Sequence, residues 1–269
     1  MLQMMILSLK LDAILMFSVQ DIPVMQKLCL ILSKYARFIR GSSNGARPLS
    51  IMFSGGKFRY ADAFGLASLQ RVFCSSCALR KAVPENPVIV DVGANCGQFN
   101  HFSHHYLGAS RVISIEPEKE SFGLLQLNSA RAEDCFPCAI SDKQGEVTLY
   151  VARESSQLSS YVFEEGCSYK DAYAVPMRRL DDLMQDLGID HVDLLKIDTE
   201  GSEHHVLLSA SETLSKTRMV LIEMSIFRKS AANLFKIGSF LEAAGFVMVE
   251  FSCPRGGQPR DADALFRRV

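Results

Sequence analysis

The stretch VIVDVGANCG, residues 88–97, constrains the fold of this chain more than any other. Val88, Ile89 and Val90 form a β-branched run with Pro87 before it and Gly93 after it. A run this short, apolar on both faces, reads as a buried parallel strand. Gly93 and Gly97 frame a turn in which the backbone bends sharply and lets a neighbour come close, and GQFNHFSHHYL then resumes at helical spacing. Strand, glycine turn and helix in that order make the ligand-binding corner of a doubly wound α/β sheet.

The turn also discriminates between ligands. A dinucleotide fingerprint has glycines where this chain has Gly93, Asn95 and Gln98, and only the first matches, which disfavours a nicotinamide cofactor and an oxidoreductase. Asp91 at the strand end repels phosphate but suits a ligand carrying an ammonium and a sulfonium, a description that S-adenosylmethionine meets. A second apolar strand, RVISIEP, ends at Glu116, 19 residues past Gly97, where an acceptor for ribose hydroxyls belongs.

VDVGANCGQF, ISIEPEKESFGLLQLN, CAISDKQGEVTLYV, RRLDDL and VDLLKIDTEGSEHHVL, in this order and at these separations, resemble the FkbM-type methyltransferases. That family is a branch of the class I S-adenosylmethionine-dependent methyltransferases and acts mainly on hydroxyl oxygens of sugars and other natural products. The resemblance covers residues 84–269, is most specific at KIDTEGSE, and takes in nothing before residue 50. It implies a Rossmann-like fold: a doubly wound, mostly parallel seven-stranded sheet whose last strand inserts antiparallel. It also implies S-adenosylmethionine held by Asp91, Gly93, Ala94, Asn95, Gly97, Glu116 and Pro117, and a hydroxylated small molecule or carbohydrate as acceptor. Ser141 and Asp142 are implied to lie near the adenine ring, where a hydroxyl or carboxylate accepts from its amino group. Asp142 reads equally well as the opening of the DKQG turn before the strand EVTLYV.

DLLKID, residues 193–198, reads as the fourth strand, and its carboxyl end meets the same crevice. Lys196, Asp198, Glu200 and Glu203 are thereby placed beside the ligand. Methyl transfer to a hydroxyl is an in-line displacement, so the protein must align the atoms and take or share a proton. Asp198 is the first choice for that proton and Glu200 the second, while Lys196 either lowers the pKa of the acceptor hydroxyl or pairs with an acid. The acids of TEGSE also suit a divalent cation, but no third oxygen ligand is identifiable, and no metal is expected. Glu223, near the end of a fifth strand over Met219–Met224, faces the substrate side.

A length of 269 residues suits one catalytic domain, taken as 49–269 with its core at 84–269, after a helical extension and linker over 1–48. GSSNGARPLS, residues 41–50, is the linker. With 29 Lys and Arg against 30 Asp and Glu, the chain offers no bait for nucleic acid. Eight scattered cysteines fit a reducing, cytoplasmic setting. CSSC (74–77) and CFPC (135–138) have the spacing of half zinc sites, but Cys138 falls in the expected third strand beside Pro137, so buried thiols are the better reading. His101, His104 and His105 are expected on a partly solvated polar face.

Residues 1–20 are apolar, yet Lys10 and Asp12 interrupt them, and neither a membrane span nor a secretory signal is expected. Leu2, Met5, Ile6, Leu9, Ala13, Met16 and Phe17 fall on one helical stripe. A second helix is expected from an Asp21 cap through Pro23 to Arg40, with Lys34, Arg37 and Arg40 at its positive end. These helices pack on the catalytic domain or on a second subunit, or touch an anionic membrane. A hairpin around Ser54-Gly55-Gly56 and a helix from Ala63 to Ala82 follow, covering the active site. Arg153–Tyr173 reads as a loop between two strands. The rival to an enzyme is a non-catalytic binding protein that keeps the same fold and docks partners through the apolar helices.

Overall fold

In the computed structural model, residues 2–40, 48–152, 159–163, 168–226, 231–252 and 261–269 are described, with side chains in the first segment from Ser8 to Ile39. Helices α1 (Leu2–Phe17) and α2 (Val24–Arg40) come first. The hairpin of β1 (Leu49–Phe53) and β2 (Gly56–Tyr60) turns at Ser54 and Gly55, both with positive φ. The side chain of Asp62 caps α3 (Ala63–Ser76) by accepting from the Gly65 N–H, and α4 (Leu79–Ala82) follows.

The alternating part begins with β3 (Val88–Val92), α5 (Gln98–Phe102), β4 (Arg111–Ile115) and α6 (Lys119–Asn128). Then come the short β5 (Cys135–Phe136) and β6 (Ala139–Ile140), the long β7 (Gly145–Ala152) and β8 (Tyr169–Arg178), and α7 (Leu180–Asp186). The chain closes with β9 (Val192–Ile197), α8 (Glu203–Leu208), α9 (Ser211–Ser215), β10 (Thr217–Ser225), α10 (Leu234–Ala243), β11 (Phe246–Ser252) and β12 (Asp261–Arg268).

Seven of these strands form one sheet in the order β11-β12-β10-β9-β3-β4-β5. β3 runs parallel to β4 and β9, and β12 inserts antiparallel between β10 and β11. This is the expected doubly wound α/β sheet with an inverted last strand. Strand order reverses at β3 and β9, so a crevice opens at their carboxyl ends. Successive side chains point to opposite faces: Val90, Ile113 and Leu195 pack under α7, α8 and α10, while Ile89, Val112 and Leu194 pack under α3 and α5. Leu15, Val19 and Leu30 of the N-terminal segment join the second of these cores. Phe73 of α3 stands edge-on to Phe53 and Phe102 at 4.9 and 5.0 Å, tying the hairpin, α3 and α5 together.

Several expectations need correction. The third strand does not run on into Ala139–Asp142: Pro137 splits it, β5 ends the large sheet, and β6 joins a separate sheet of order β6-β8-β7. β8 occupies the end of the expected 153–173 loop, of which 153–158 and 164–167 lie outside the described residues. Asp21 does not cap α2; it takes positive φ and pairs with Arg80 at 2.8 Å. His101 is fully buried, its Nε2 2.9 Å from the Phe53 carbonyl oxygen, although His105 is exposed. The α1 stripe is turned about: Leu9, Ala13 and Phe17 face outward, and the helix packs through Leu15. Most of the linker, 41–47, and the expected loop at 253–260 lie outside the described residues. No helix among the described residues is long and apolar enough to cross a membrane.

Candidate active site

β3 and β9 bring two turns together at the carboxyl edge of the sheet. After β3, Gly93 and Gly97 take φ of 81° and 86°, and Asn95 is also left-handed at 48°. A Cβ on Gly93 would overlap the Asp198 carbonyl oxygen and lie 2.8 Å from its carbon, so glycine is required there. The Gly93 and Ala94 N–H groups both donate to the Ile115 carbonyl at 3.0 Å, locking the turn to the end of β4.

Glu116 follows Ile115 and is buried at the rim of this turn. Its carboxylate accepts from the Asn95 N–H and the Glu118 N–H, each at 2.8 Å. Burial pushes its pKa up to about 7, against the pull of these two hydrogen bonds.

Lys196 is the hub between the turns. Its Nζ donates to the Gly93 carbonyl at 2.8 Å and lies 3.1 Å from Asp91 and 3.6 Å from Asp198. Burial works against its charge, but the carboxylates of Asp91 and Asp198 outweigh it and hold the ammonium protonated. The turn after β9 is tight, with Glu200 at φ 55° and Gly201 at 115°. Glu203 secures it from inside: its Oε1 accepts from the Thr199 N–H at 3.0 Å and the Gly201 N–H at 2.9 Å.

The cleft between these turns encloses about 1510 Å³, counting the space at its open mouth. Gly93, Ala94, Asn95, Glu116, Pro117, Lys196, Asp198 and Glu200 all line it. Asp91, Gly97, Ser141, Asp142 and Glu203 do not. Asp91 has no exposed surface, and Gly97 caps α5. Asp142 turns to His205, whose Nδ1 is 2.8 Å away, and that contact holds its carboxyl below the usual range.

The far wall carries Glu223, expected on the substrate side, together with Arg71 and Asp263, which the sequence left unassigned. Glu223 of β10 lies opposite Asp263 of β12 in register, and Arg71 of α3 reaches both, at 3.8 and 3.6 Å. No local signal marks Arg71 or Asp263, since their meeting depends on the antiparallel pairing of β10 with β12. Carboxylate oxygens of Asp198, Glu200 and Glu223 lie within 4.8 Å of one another, so Glu223 supplies the third acid that the sequence did not identify. Burial, with the charges of Asp198 and Glu200, pushes Glu223 well above the usual carboxyl range, so this cluster can hold a proton. Among the described residues no cysteine joins a cluster of three potential metal ligands, and burial pushes Cys74 up to about 12 and Cys138 up to about 11.

Residues 91–248 match the methyltransferase FkbM domain family. The chain belongs to this family. It is 26% identical over 239 residues to the 31-O-demethyl-FK506 methyltransferase FkbM of Streptomyces tacrolimicus, covering 77% of this chain and 87% of that protein. It is 25% identical over 158 residues to the 2-O-methyltransferase NoeI of Sinorhizobium fredii, covering 52% of this chain and 64% of NoeI. A match to the antimetabolite synthetase AmbE of Pseudomonas aeruginosa spans 10% of that protein. Among solved structures, magnesium protoporphyrin IX methyltransferase (ChlM) from Synechocystis with bound SAM is 14% identical at a TM-score of 0.44, covering 88% of this chain and 91% of ChlM.

Proposed function

We propose that this FkbM-family chain moves the methyl group of S-adenosylmethionine to a hydroxyl oxygen of a carbohydrate or natural product. Residues 49–269 form the methyltransferase domain in this reading, and 1–48 a helical extension. The observation that carries it is the convergence of the glycine turn, Glu116 and the acids Asp198, Glu200 and Glu223 in one cleft. NoeI is a 2-O-methyltransferase and the Streptomyces relative a 31-O-demethyl-FK506 methyltransferase, which supports transfer to oxygen here.

The residues fit the cofactor. Bare backbone at Gly93 permits close approach, Glu116 offers acceptor oxygens at the end of β4, and an acid-rich cleft favours a sulfonium and an ammonium. Gly93, Ala94, Asn95, Glu116 and Pro117 would hold it directly, with Ser141 and Asp142 toward its adenine end. Asp91 and Gly97 act through the frame, one fixing Lys196 and the other starting α5.

The cofactor supplies a methyl group on a positively charged leaving group. Asp198 takes the acceptor proton, with Glu200 as the second candidate, and the clustered carboxylates give that proton a place to stay. Lys196 holds Asp198 in place and lowers the pKa of a hydroxyl brought beside it. Glu203 keeps the 199–201 turn in shape. The buried thiols suit a reducing cytoplasm, and residues 1–40 provide a contact with a membrane or a second subunit.

Calorimetric titration with S-adenosylmethionine on the wild type, Glu116→Ala and Asp198→Asn, paired with turnover on a panel of hydroxylated acceptors, tests this. Glu116→Ala is expected to weaken cofactor binding. Asp198→Asn is expected to keep it while turnover falls by about 10²–10⁴. Full turnover by Asp198→Asn refutes its role, and a folded wild type that binds no cofactor leaves the non-catalytic binding protein standing.

A further inference from the structure

Helices α1 and α2 bury ionic groups beside the core residues Leu15 and Leu30 and leave large apolar side chains outside. Their polar groups face inward onto α3: Lys34 Nζ meets Asp12 Oδ1 at 2.5 Å and Gln70 Oε1 at 2.8 Å, and the Tyr35 hydroxyl donates to Asp12 at 2.6 Å. Lys27, also buried, donates to the Val19 carbonyl at 2.5 Å. The outward side is apolar. On α2, Met25, Leu28, Leu32, Ala36 and Ile39 follow one another at helical spacing as an exposed stripe without a charge. Met25 is 69% exposed, Leu32 67% and Ile39 84%, and Phe17 at the end of α1 is 86% exposed. Ionic groups satisfied within and an uncharged apolar stripe without is the arrangement that suits a low-dielectric surrounding.

Length and charge select the occupant. α1 has 16 residues and α2 has 17, about 25 Å each, short of the ~30 Å hydrocarbon core, so the helices lie along a bilayer instead of crossing it. Residues 1–61 hold eight Lys and Arg against two Asp and no Glu, in a chain of net charge −1. The acidic excess therefore lies entirely in the remainder. Asp12 and Asp21 are both paired, to Lys34 and Arg80, while Lys10 and Lys57 are exposed. Lys27 and Lys34 are buried, so the exposed Lys10 and Lys57, with the net positive charge of the segment, are what complements anionic headgroups. A second copy fits less well, because an isologous contact would bring two cationic segments together.

We propose that the outward face of α1 and α2 docks on an anionic bilayer surface, with Phe17, Leu32 and Ile39 entering the acyl boundary and the exposed Lys10 and Lys57 meeting the headgroups. α3 links this face to the cleft: Gln70 bonds Lys34 and Asp12, while Ser68 and Arg71 line the cleft. Docking therefore holds the acceptor-side wall beside the membrane. The proposal does not rest on methyl transfer.

The test is co-sedimentation of the full chain with phosphatidylcholine vesicles, with and without phosphatidylglycerol, at low and at physiological ionic strength. Binding is expected only with phosphatidylglycerol and is expected to weaken with salt. A Phe17→Asp/Leu32→Asp/Ile39→Asp variant, altered only at exposed positions, is expected to bind at least about tenfold more weakly while its thermal unfolding stays cooperative. Lys10→Glu/Lys57→Glu gives an independent reading of the charge term, with a reduced response to salt. No sedimentation above the neutral-vesicle control overturns the proposal. So does light scattering that shows a dimer dispersed by the triple variant without any binding to vesicles.

Discussion

Replacing Lys196 with Met tests whether the buried ion pair under the cleft behaves as its geometry requires. Asp91 has no exposed surface, and the Lys196 ammonium lies 3.1 Å from it. Without that cation the carboxylate stays in the folded protein only by binding a proton. Holding it protonated at pH 7, against an ordinary value of 3.8, costs about 4 kcal/mol at ~1.4 kcal/mol per unit. This agrees with the ~3–5 kcal/mol lost when one partner is removed from a buried pair. The sign follows from proton uptake: folded Lys196→Met carries a proton that the unfolded chain releases above its ordinary pKa, so the variant loses stability as pH rises. At pH 5 the penalty shrinks to about 1.5 kcal/mol. Urea unfolding of wild type and variant at both pH values measures this, and Asp91→Asn/Lys196→Met should abolish the pH dependence. A penalty that is the same at both pH values, or below about 1 kcal/mol at pH 7, refutes the reasoning.

Gly93→Ala must adopt positive φ and displace the Asp198 carbonyl, a combined cost of ~2–5 kcal/mol that urea unfolding reads, with weakened cofactor affinity in calorimetry. Burial, reinforced by His105, pushes His101 down to about 4 from an ordinary 6.5. Folded His101 therefore resists the proton that the unfolded chain takes up, and about 3 kcal/mol of stability drains away as pH falls through that window. His101→Leu should flatten this acid limb in chemical denaturation; an unchanged limb would assign it to other groups.

The parts of the fold that were legible are those in which a local pattern determines the outcome. β3, β4 and β9 are short apolar runs bounded by turn residues, and their limits fall within two residues of those read from periodicity. The third strand was not legible, because CFPCAI is one apolar run in sequence while Pro137 shares it between two sheets. α1 shows a second limit: periodicity finds a stripe but not the direction it faces, and the Asp12–Lys34 network draws the polar side inward. In the cleft, Asp198, Glu200 and Lys196 are close in sequence and were found together. Arg71 and Asp263 stand 192 positions apart and meet only because α3 packs on the face where β12 pairs with β10.

The two turns at the head of the sheet are built as a single mechanical part. The Asp198 carbonyl occupies the space that a side chain at residue 93 would fill, the Asp198 N–H donates to the Val92 carbonyl at 3.0 Å, and Lys196 bolts the Gly93 carbonyl from below. A change in either loop is therefore transmitted to the other, and the two have to vary as a matched set. Retuning this scaffold toward a different acceptor is consequently a task for the opposite wall. Arg71, Glu250 and Ser252 line the cleft there without being keyed into that joint.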